Sequence, residues 1–229
     1  MLIRTESLTK TYHKGSAEIP VLRGVDFEIA AGEMVAITGA SGVGKSTLLH
    51  ALGTLEKPDS GSIFYGPTGQ NILQLTEKGL SEFRNRVLGF IFQFHYLLPE
   101  FDAVENVMMP ALISGEDRNV ARRHAEELLA FVGLGHRLNH RPSELSGGEQ
   151  QRVAIARSVI LRPKLLLADE LTGNLDSKNS QNVMDLLVNL NQATGISILI
   201  VTHDASIASR MHRVLTMRDG QFVNEPSTA

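Results

Sequence analysis

The sequence contains no cysteine and no tryptophan, and aromatic residues fill only 5% of its 229 positions. Without cysteine there is neither a disulfide framework nor a thiolate metal site, a composition that agrees with a reducing cytoplasm and argues against secretion. Long apolar runs are missing too. Apolar stretches such as 35–37 and 196–201 fall far short of the roughly 18 to 20 residues that cross a bilayer as a helix. Any membrane association is therefore expected to come through partners. Residues 1–10 alternate polar and apolar side chains and lack the unbroken apolar core of a secretory leader, so a cytoplasmic location is expected.

An excess of charge is also lacking. Lysine and arginine number 22 against 25 acids, interspersed, for a net charge of −3. No basic stripe marks a nucleic-acid or anionic-membrane footprint, and no nucleic-acid partner is expected. The densest basic cluster, 118–124, reads as the solvated face of a helix.

What is present is enough for one medium domain with a full core, since a chain this long buries roughly 70% of its unfolded surface. Short apolar runs alternate with helical spacing, the pattern of an α/β fold on a largely parallel sheet. Strands are expected at 2–7, 21–29, 34–38, 88–92, 165–168, 197–201 and 213–217. Ala121, Ala125, Leu128, Leu129 and Val132 form one apolar stripe over 119–132, a helix that Gly133 should end. The turn-rich segment 59–70 around 62–65 suggests a small antiparallel hairpin. Between 94 and 160 the periodicity is helical, so a helical subdomain is expected within an α/β core formed by 1–93 and 161–229.

Gly39-Ala40-Ser41-Gly42-Val43-Gly44-Lys45-Ser46 follows the strand 34–38 and leads, through Thr47, into a helical segment. This is the phosphate-binding pattern GxxxxGK[ST] in its required context. Glycines let successive amides turn toward phosphate oxygens and the helix start adds its positive dipole end. Lys45 adds a point charge, and Ser46 is placed to ligate a Mg²⁺ bridging the β and γ phosphates of ATP. A second element is the acidic pair Asp169 and Glu170 at the end of the strand 165–168, the edge at which such sheets bind ligands. Asp169 is read as holding Mg²⁺ through its water shell, and Glu170 as orienting and partly deprotonating an attacking water. Alone, such a pair would read as a solvated strand end; the phosphate loop reverses that.

Leu145-Ser146-Gly147-Gly148-Glu149-Gln150 places two glycines where a helix should begin, although glycine costs a helix about 1 kcal/mol per residue. Close approach to a phosphate gives a reason, with Ser146 either capping the helix or turning its hydroxyl to a γ phosphate.

These residues together resemble the ABC ATPases, whose LSGGQ-like signature stands here as LSGGEQ upstream of the acidic pair, and the resemblance covers nearly the whole chain. It implies a P-loop fold with an antiparallel β edge, and a head-to-tail homodimer in which Ser146, Gly147 and Gly148 of one copy cap the ATP held by Lys45 of the other. It further implies that Tyr12 stacks on adenine, that Gln93 contacts Mg²⁺ and the attacking water, and that His203 hydrogen-bonds the γ phosphate. Asp176, in Gly173-Asn174-Leu175-Asp176, would cross the dimer interface. Leu171 departs from the family, which mostly has proline after the catalytic glutamate; a looser approach to Asp176 is expected, with the same reaction.

The run from Phe92 to Phe101, with Glu105 to Pro110, is similar to the lipoprotein-releasing branch of the family, more than to its macrolide-efflux or cell-division branches. That likeness implies a peripheral ATPase on the cytoplasmic face of a bacterial inner membrane, bound to two integral membrane subunits. Phe94, Tyr96, Leu97, Leu98, Phe101, Met108 and Met109 are candidates for a surface that receives them, with the Met-Met-Pro end as the expected surface element. The alternative reading is the ATPase of a macrolide-efflux or cell-division complex, and the rivals from other classes are a soluble ABC ATPase acting on DNA or ribosomes and an ATP-binding regulatory module without turnover.

Overall fold

The computed structural model describes residues 1–66 and 69–223. Its strands and helices in chain order begin with β1 (Ile3–Lys14), β2 (Ala17–Ile29), β3 (Met34–Thr38), α1 (Lys45–Leu52), β4 (Ser60–Tyr65), β5 (Gln70–Asn71) and α2 (Glu77–Val87). Then come β6 (Leu88–Ile91), α3 (Ala103–Ile113), α4 (Arg118–Phe131), α5 (Gly147–Val159), β7 (Leu165–Asp169) and α6 (Ser177–Thr194). The described chain closes with β8 (Ser197–Val201), α7 (Ala205–Ala208), β9 (Arg213–Arg218) and β10 (Gln221–Val223). Contacts divide it into two compact units, one of Met1–Arg84 with the described part of Ser197–Ala229, the other of Asn85–Ile196.

In the first unit, β3 lies between β8 and β9 and runs parallel to both, while β10 pairs antiparallel with β9. Every residue of β8 and all but the last of β3 are buried. Unbroken apolar runs without alternation belong to strands covered on both faces, so these two fold with the bounds read from sequence. An antiparallel sheet, in the order β2-β1-β4-β5, forms the rest of this unit. The hairpin expected at 59–70 is present as the β4–β5 pair; Pro67 and Thr68 of its loop lie outside the described residues. β1 continues well past Ser7, where the reading from sequence stops. Ser7 has φ 48 and the register against β2 shifts between Thr5 and Leu8, so a bulge there breaks the alternation without ending the strand.

In the second unit, β6 pairs parallel with β7, Leu88 opposite Leu165. α3, α4 and α5 pack through a buried cluster that includes Val104, Val107, Met108, Ala125, Leu129 and Val153. Burying each large side chain of this kind stabilises the fold by about 1.5–3 kcal/mol. Met108 is only 1% exposed, which corrects its place in the expected Met-Met-Pro surface element, while Met109 and Pro110 are partly exposed. The helix turns that methionine inward, among apolar neighbours from two other helices. Among the described residues no helix is long and apolar enough to cross a membrane.

Candidate functional site

The phosphate-binding loop joins β3 to α1 within the first unit. Gly44 is the N-cap of α1 with φ 109, and a Cβ added there would stand 2.7 Å from the Val21 carbonyl oxygen. Both the left-handed backbone and the close approach of β2 demand glycine. α1 starts at Lys45, so its positive dipole end meets the loop. Lys45 is buried, and its ammonium donates to the carbonyl oxygens of Gly39 at 2.9 Å and Ala40 at 2.8 Å. The cation is thus held over the curve formed by Gly39, Ala40, Ser41, Gly42 and Val43, with Ser46 and Thr47 opening the helix.

Two other candidates belong to this unit. His203 is exposed, two residues beyond the end of β8, and next to it Asp204 caps α7 by accepting from the Ser206 amide and hydroxyl. The Ser206 hydroxyl, then the Ser206 amide, hold the Asp204 carboxyl below the usual aspartate range. Tyr12, near the end of β1, is 38% exposed, and the Lys10 ammonium lies 5.5 Å from its ring centroid.

The second unit gathers the acidic pair, Gln93 and the following turn. Asp169 ends β7, and Glu170 adopts φ 47, a left-handed backbone that costs a side-chain-bearing residue on the order of 1 kcal/mol or more. The turn is closed by the Gly173 amide donating to the Glu170 carbonyl oxygen at 2.9 Å. Asn174 donates through Nδ2 to the Gln93 backbone oxygen at 3.1 Å. A Cβ on Gly173 would stand 3.1 Å from Gln93 Nε2, so the glutamine amide lies close against this turn. Leu171, in the place of the family's proline, is 2% exposed and serves as a core side chain.

The signature segment opens α5 with a reciprocal cap. Ser146 Oγ accepts from the Glu149 amide at 3.3 Å and Glu149 Oε2 accepts from the Ser146 amide at 2.8 Å. That amide, aided by the Ser146 hydroxyl and by Arg137, holds the Glu149 carboxyl below the usual range. Gly147 has room around it, but Gly148 has none: a Cβ there would lie 2.8 Å from Asn179 Oδ1. Asn179 in turn donates to Asp176, the N-cap of α6, from both its amide and its side chain. The structure therefore places Gly148 against Asn179, which in turn bonds Asp176.

Two residues that position these groups escape a motif-based reading. Arg157, on α5, donates to the backbone oxygens of His95 and Tyr96, each at 2.7 Å. Asn106, buried in the middle of the apolar α3, binds the Leu98 amide and the backbone oxygens of Leu98, Phe101 and Asp102. An asparagine within a helix whose other residues, Glu105 aside, are apolar is the signal that would have found it. Held from these two points, the segment after Gln93 presents Phe94 at 60%, Tyr96 at 65% and Leu98 at 41% exposure.

The model of the ABC transporter family matches residues 22–173, two thirds of the sequence. The chain belongs to the ABC transporter family. Among its curated relatives in that family is the lipoprotein-releasing system ATP-binding protein LolD of Geobacter metallireducens, 53% identical over 97% of this chain and 98% of that one. The protein of the same name from Shewanella oneidensis is 50% identical over 100% and 98%. A solved ATP-binding cassette, in a dimeric post-hydrolysis state bound to ADP and Pi, superposes with a TM-score of 0.89 at 37% identity, over 98% of both chains. The chain is accordingly an ATPase of the ABC class with the P-loop fold expected from its sequence.

Proposed function

We propose that this ABC ATPase is the energy-supplying subunit of a bacterial lipoprotein-releasing complex, acting as a pair of copies on the cytoplasmic face of the inner membrane beneath two integral membrane subunits. Identity to LolD over nearly the full length of both proteins carries the choice of branch. The exposed Phe94, Tyr96 and Leu98 beside Gln93 suit the receiving surface, because an apolar patch fixed from behind by Arg157 and Asn106 transmits movement instead of absorbing it. The 1–229 chain then acts as one ATPase domain, with 94–160 as its helical subdomain.

In this reading the loop of Gly39, Ala40, Ser41, Gly42, Val43 and Gly44 wraps the ATP phosphates. Lys45 neutralises their charge, and Thr47 continues the helix start. Tyr12 stacks on adenine. Ser46, Gln93 and Asp169 offer hydroxyl, amide and carboxylate oxygens, the hard donors that Mg²⁺ prefers. Among the described residues no cluster of three or more His, Cys, Asp or Glu could hold a metal. Bound there, Mg²⁺ would neutralise the charge that develops between the β and γ phosphates.

Glu170 accepts a proton as water attacks the γ phosphorus and the bond to the β–γ bridging oxygen breaks, leaving ADP and phosphate. His203 steadies the γ phosphate, and Gln93 the water. Ser146, Gly147 and Gly148 face the nucleotide of the second copy, with Asp176 at the boundary between copies. ATP closes the pair, closure moves the membrane subunits, and hydrolysis resets them.

The test is a detergent-solubilised pull-down of the Glu170→Gln form with ATP and Mg²⁺, followed by mass spectrometry. Two integral membrane subunits with lipidated proteins are expected. A membrane partner bound to efflux or division components would transfer the assignment to a sister branch. Recovery of only soluble or nucleic-acid-bound partners would overturn it.

A further inference from the structure

The base platform has a support of its own. Lys10 and Tyr12 stand two residues apart on β1, and their side chains meet although the register against β2 shifts between Lys10 and Thr11. The Lys10 ammonium lies 5.5 Å from the centre of the Tyr12 ring, within the range at which a cation is attracted to an aromatic face. It is not a wandering surface charge. Nζ is 2.7 Å from Glu56 Oε1 and 3.5 Å from Asp59 Oδ1, and it donates to the Lys57 carbonyl oxygen at 2.7 Å. Its three donors are therefore all engaged, and the side chain is only 13% exposed.

The anchoring segment is itself tied to β1. Asp59 accepts from the Thr11 amide at 2.6 Å, and the Asp59 amide donates to the Thr9 oxygen at 2.9 Å. Glu56, through its hydrogen bond, is the main reason the Lys10 ammonium is held above the usual lysine range. A fixed cation on one face of a ring defines which face remains for a stacked base.

We propose that Lys10 is a positioning residue for the nucleotide base: its anchored ammonium occupies one face of Tyr12, fixes the ring, and leaves the other face to stack on adenine. This rests on the reading of Tyr12 as the adenine platform. Lys10 touches no part of the nucleotide and acts only through the ring. Its effect is therefore confined to nucleotide affinity that passes through Tyr12.

A double-mutant cycle on the full chain tests this, with equilibrium ATP binding measured in the Glu170→Gln form so that turnover does not interfere. Tyr12→Ala should weaken ATP binding. Lys10→Met should raise Kd about two- to fivefold when Tyr12 is present, the range expected of an exposed cation–ring contact. In the Tyr12→Ala background the same substitution should change nothing, and Lys10→Arg should restore most of the affinity. Melting temperatures of all forms identify any that are merely unfolded. Equal losses in both backgrounds, or no loss with Tyr12 present, would overturn the role of Lys10 while leaving the platform intact. If Tyr12→Ala binds ATP as tightly as the parent, the platform reading fails and takes this inference with it.

Discussion

Arg157 Nη1 donates to the backbone oxygen of Tyr96 at 2.7 Å, and its second terminal nitrogen donates to the neighbouring oxygen of His95 at the same distance. One guanidinium on the helix that begins with the signature segment thus holds two successive carbonyls next to Gln93. Tyr96 sits at φ 47, a conformation that needs support from outside the residue. The planar fork of arginine matches a pair of carbonyls that lysine's single ammonium would reach only in part.

Replacing Arg157 by glutamine should therefore cost about 2 kcal/mol in urea unfolding, the range for hydrogen bonds made by a charged donor. Hydrogen exchange should accelerate over Phe94 to Leu98 while the buried strands β3 and β8 stay protected. Lysine at this position should recover part of the stability. Unchanged exchange in Arg157→Gln would show that the segment is held by Asn106 alone.

His95 supplies a pH dependence of known sign. Burial first, and the Arg157 charge second, hold its pKa below 6.5. The folded protein therefore prefers the neutral ring, while the unfolded chain takes up a proton at about pH 6.5. Below that pH the unfolded state binds more protons, so stability falls as pH drops and levels off beneath the depressed folded value. His95→Gln should flatten urea-unfolding stability between pH 7.5 and 5.5 relative to the parent. A parallel pH profile in the two proteins would remove His95 as the source.

How much of this arrangement was legible beforehand depended on burial. β3 and β8, buried nearly throughout, were read to the residue, and the phosphate loop declared itself through its glycines. β1 was cut at Ser7 by a bulge that alternation alone cannot foresee. α2 has no buried residue and so carries no core stripe, which is why its helical state left little trace. α6 differs: Val183, Met184, Leu187 and Leu190 are buried at helical spacing, a stripe there to be read behind the acidic pair. Arg157 acts on the backbone oxygens of Tyr96 and His95, which only folding brings near, so spacing does not announce it.

Gly148 and Asn179 give a second pair to test. A methyl at 148 would stand 2.8 Å from Asn179 Oδ1, and Asn179 also bonds Asp176. Gly148→Ala should destabilise the fold by about 1 kcal/mol, since overpacking of 1–3 kcal/mol outweighs the gain in helix propensity. Adding Asn179→Ala should restore thermal stability. If Gly148 also meets a phosphate, the double variant will remain slow in ATP hydrolysis; full activity would assign this glycine to packing alone.

Ser146 has two possible duties that substitutions separate. As N-cap of α5 its loss to alanine should cost about 1 kcal/mol. Aspartate caps as well as serine, so Ser146→Asp should keep the stability while placing a negative charge where a γ phosphate is expected. Stable folding with turnover lost would support the phosphate contact. Normal hydrolysis by Ser146→Asp would leave Ser146 as a cap only.

Glu170 carries the sharpest contrast between stability and activity. Its φ of 47 is strained for a residue with a side chain, and its carbonyl closes the turn to Gly173. Glycine at this position removes the strain but also adds unfolded-state freedom, so the two effects oppose each other. Relief of a left-handed residue is worth on the order of 1–2 kcal/mol and should win by a small margin. Glu170→Gly is therefore expected to melt at or slightly above the parent temperature and to hydrolyse no ATP. Glu170→Gln keeps the strain and the size of the side chain but has no carboxylate to accept a proton, so it should bind ATP, melt like the parent and also fail to turn over. Differential scanning calorimetry beside a phosphate-release assay distinguishes these outcomes. Turnover at the parent rate in Glu170→Gln would remove Glu170 as the proton acceptor, and a large fall in melting temperature in Glu170→Gly would show that the side chain, not the backbone, stabilises the turn.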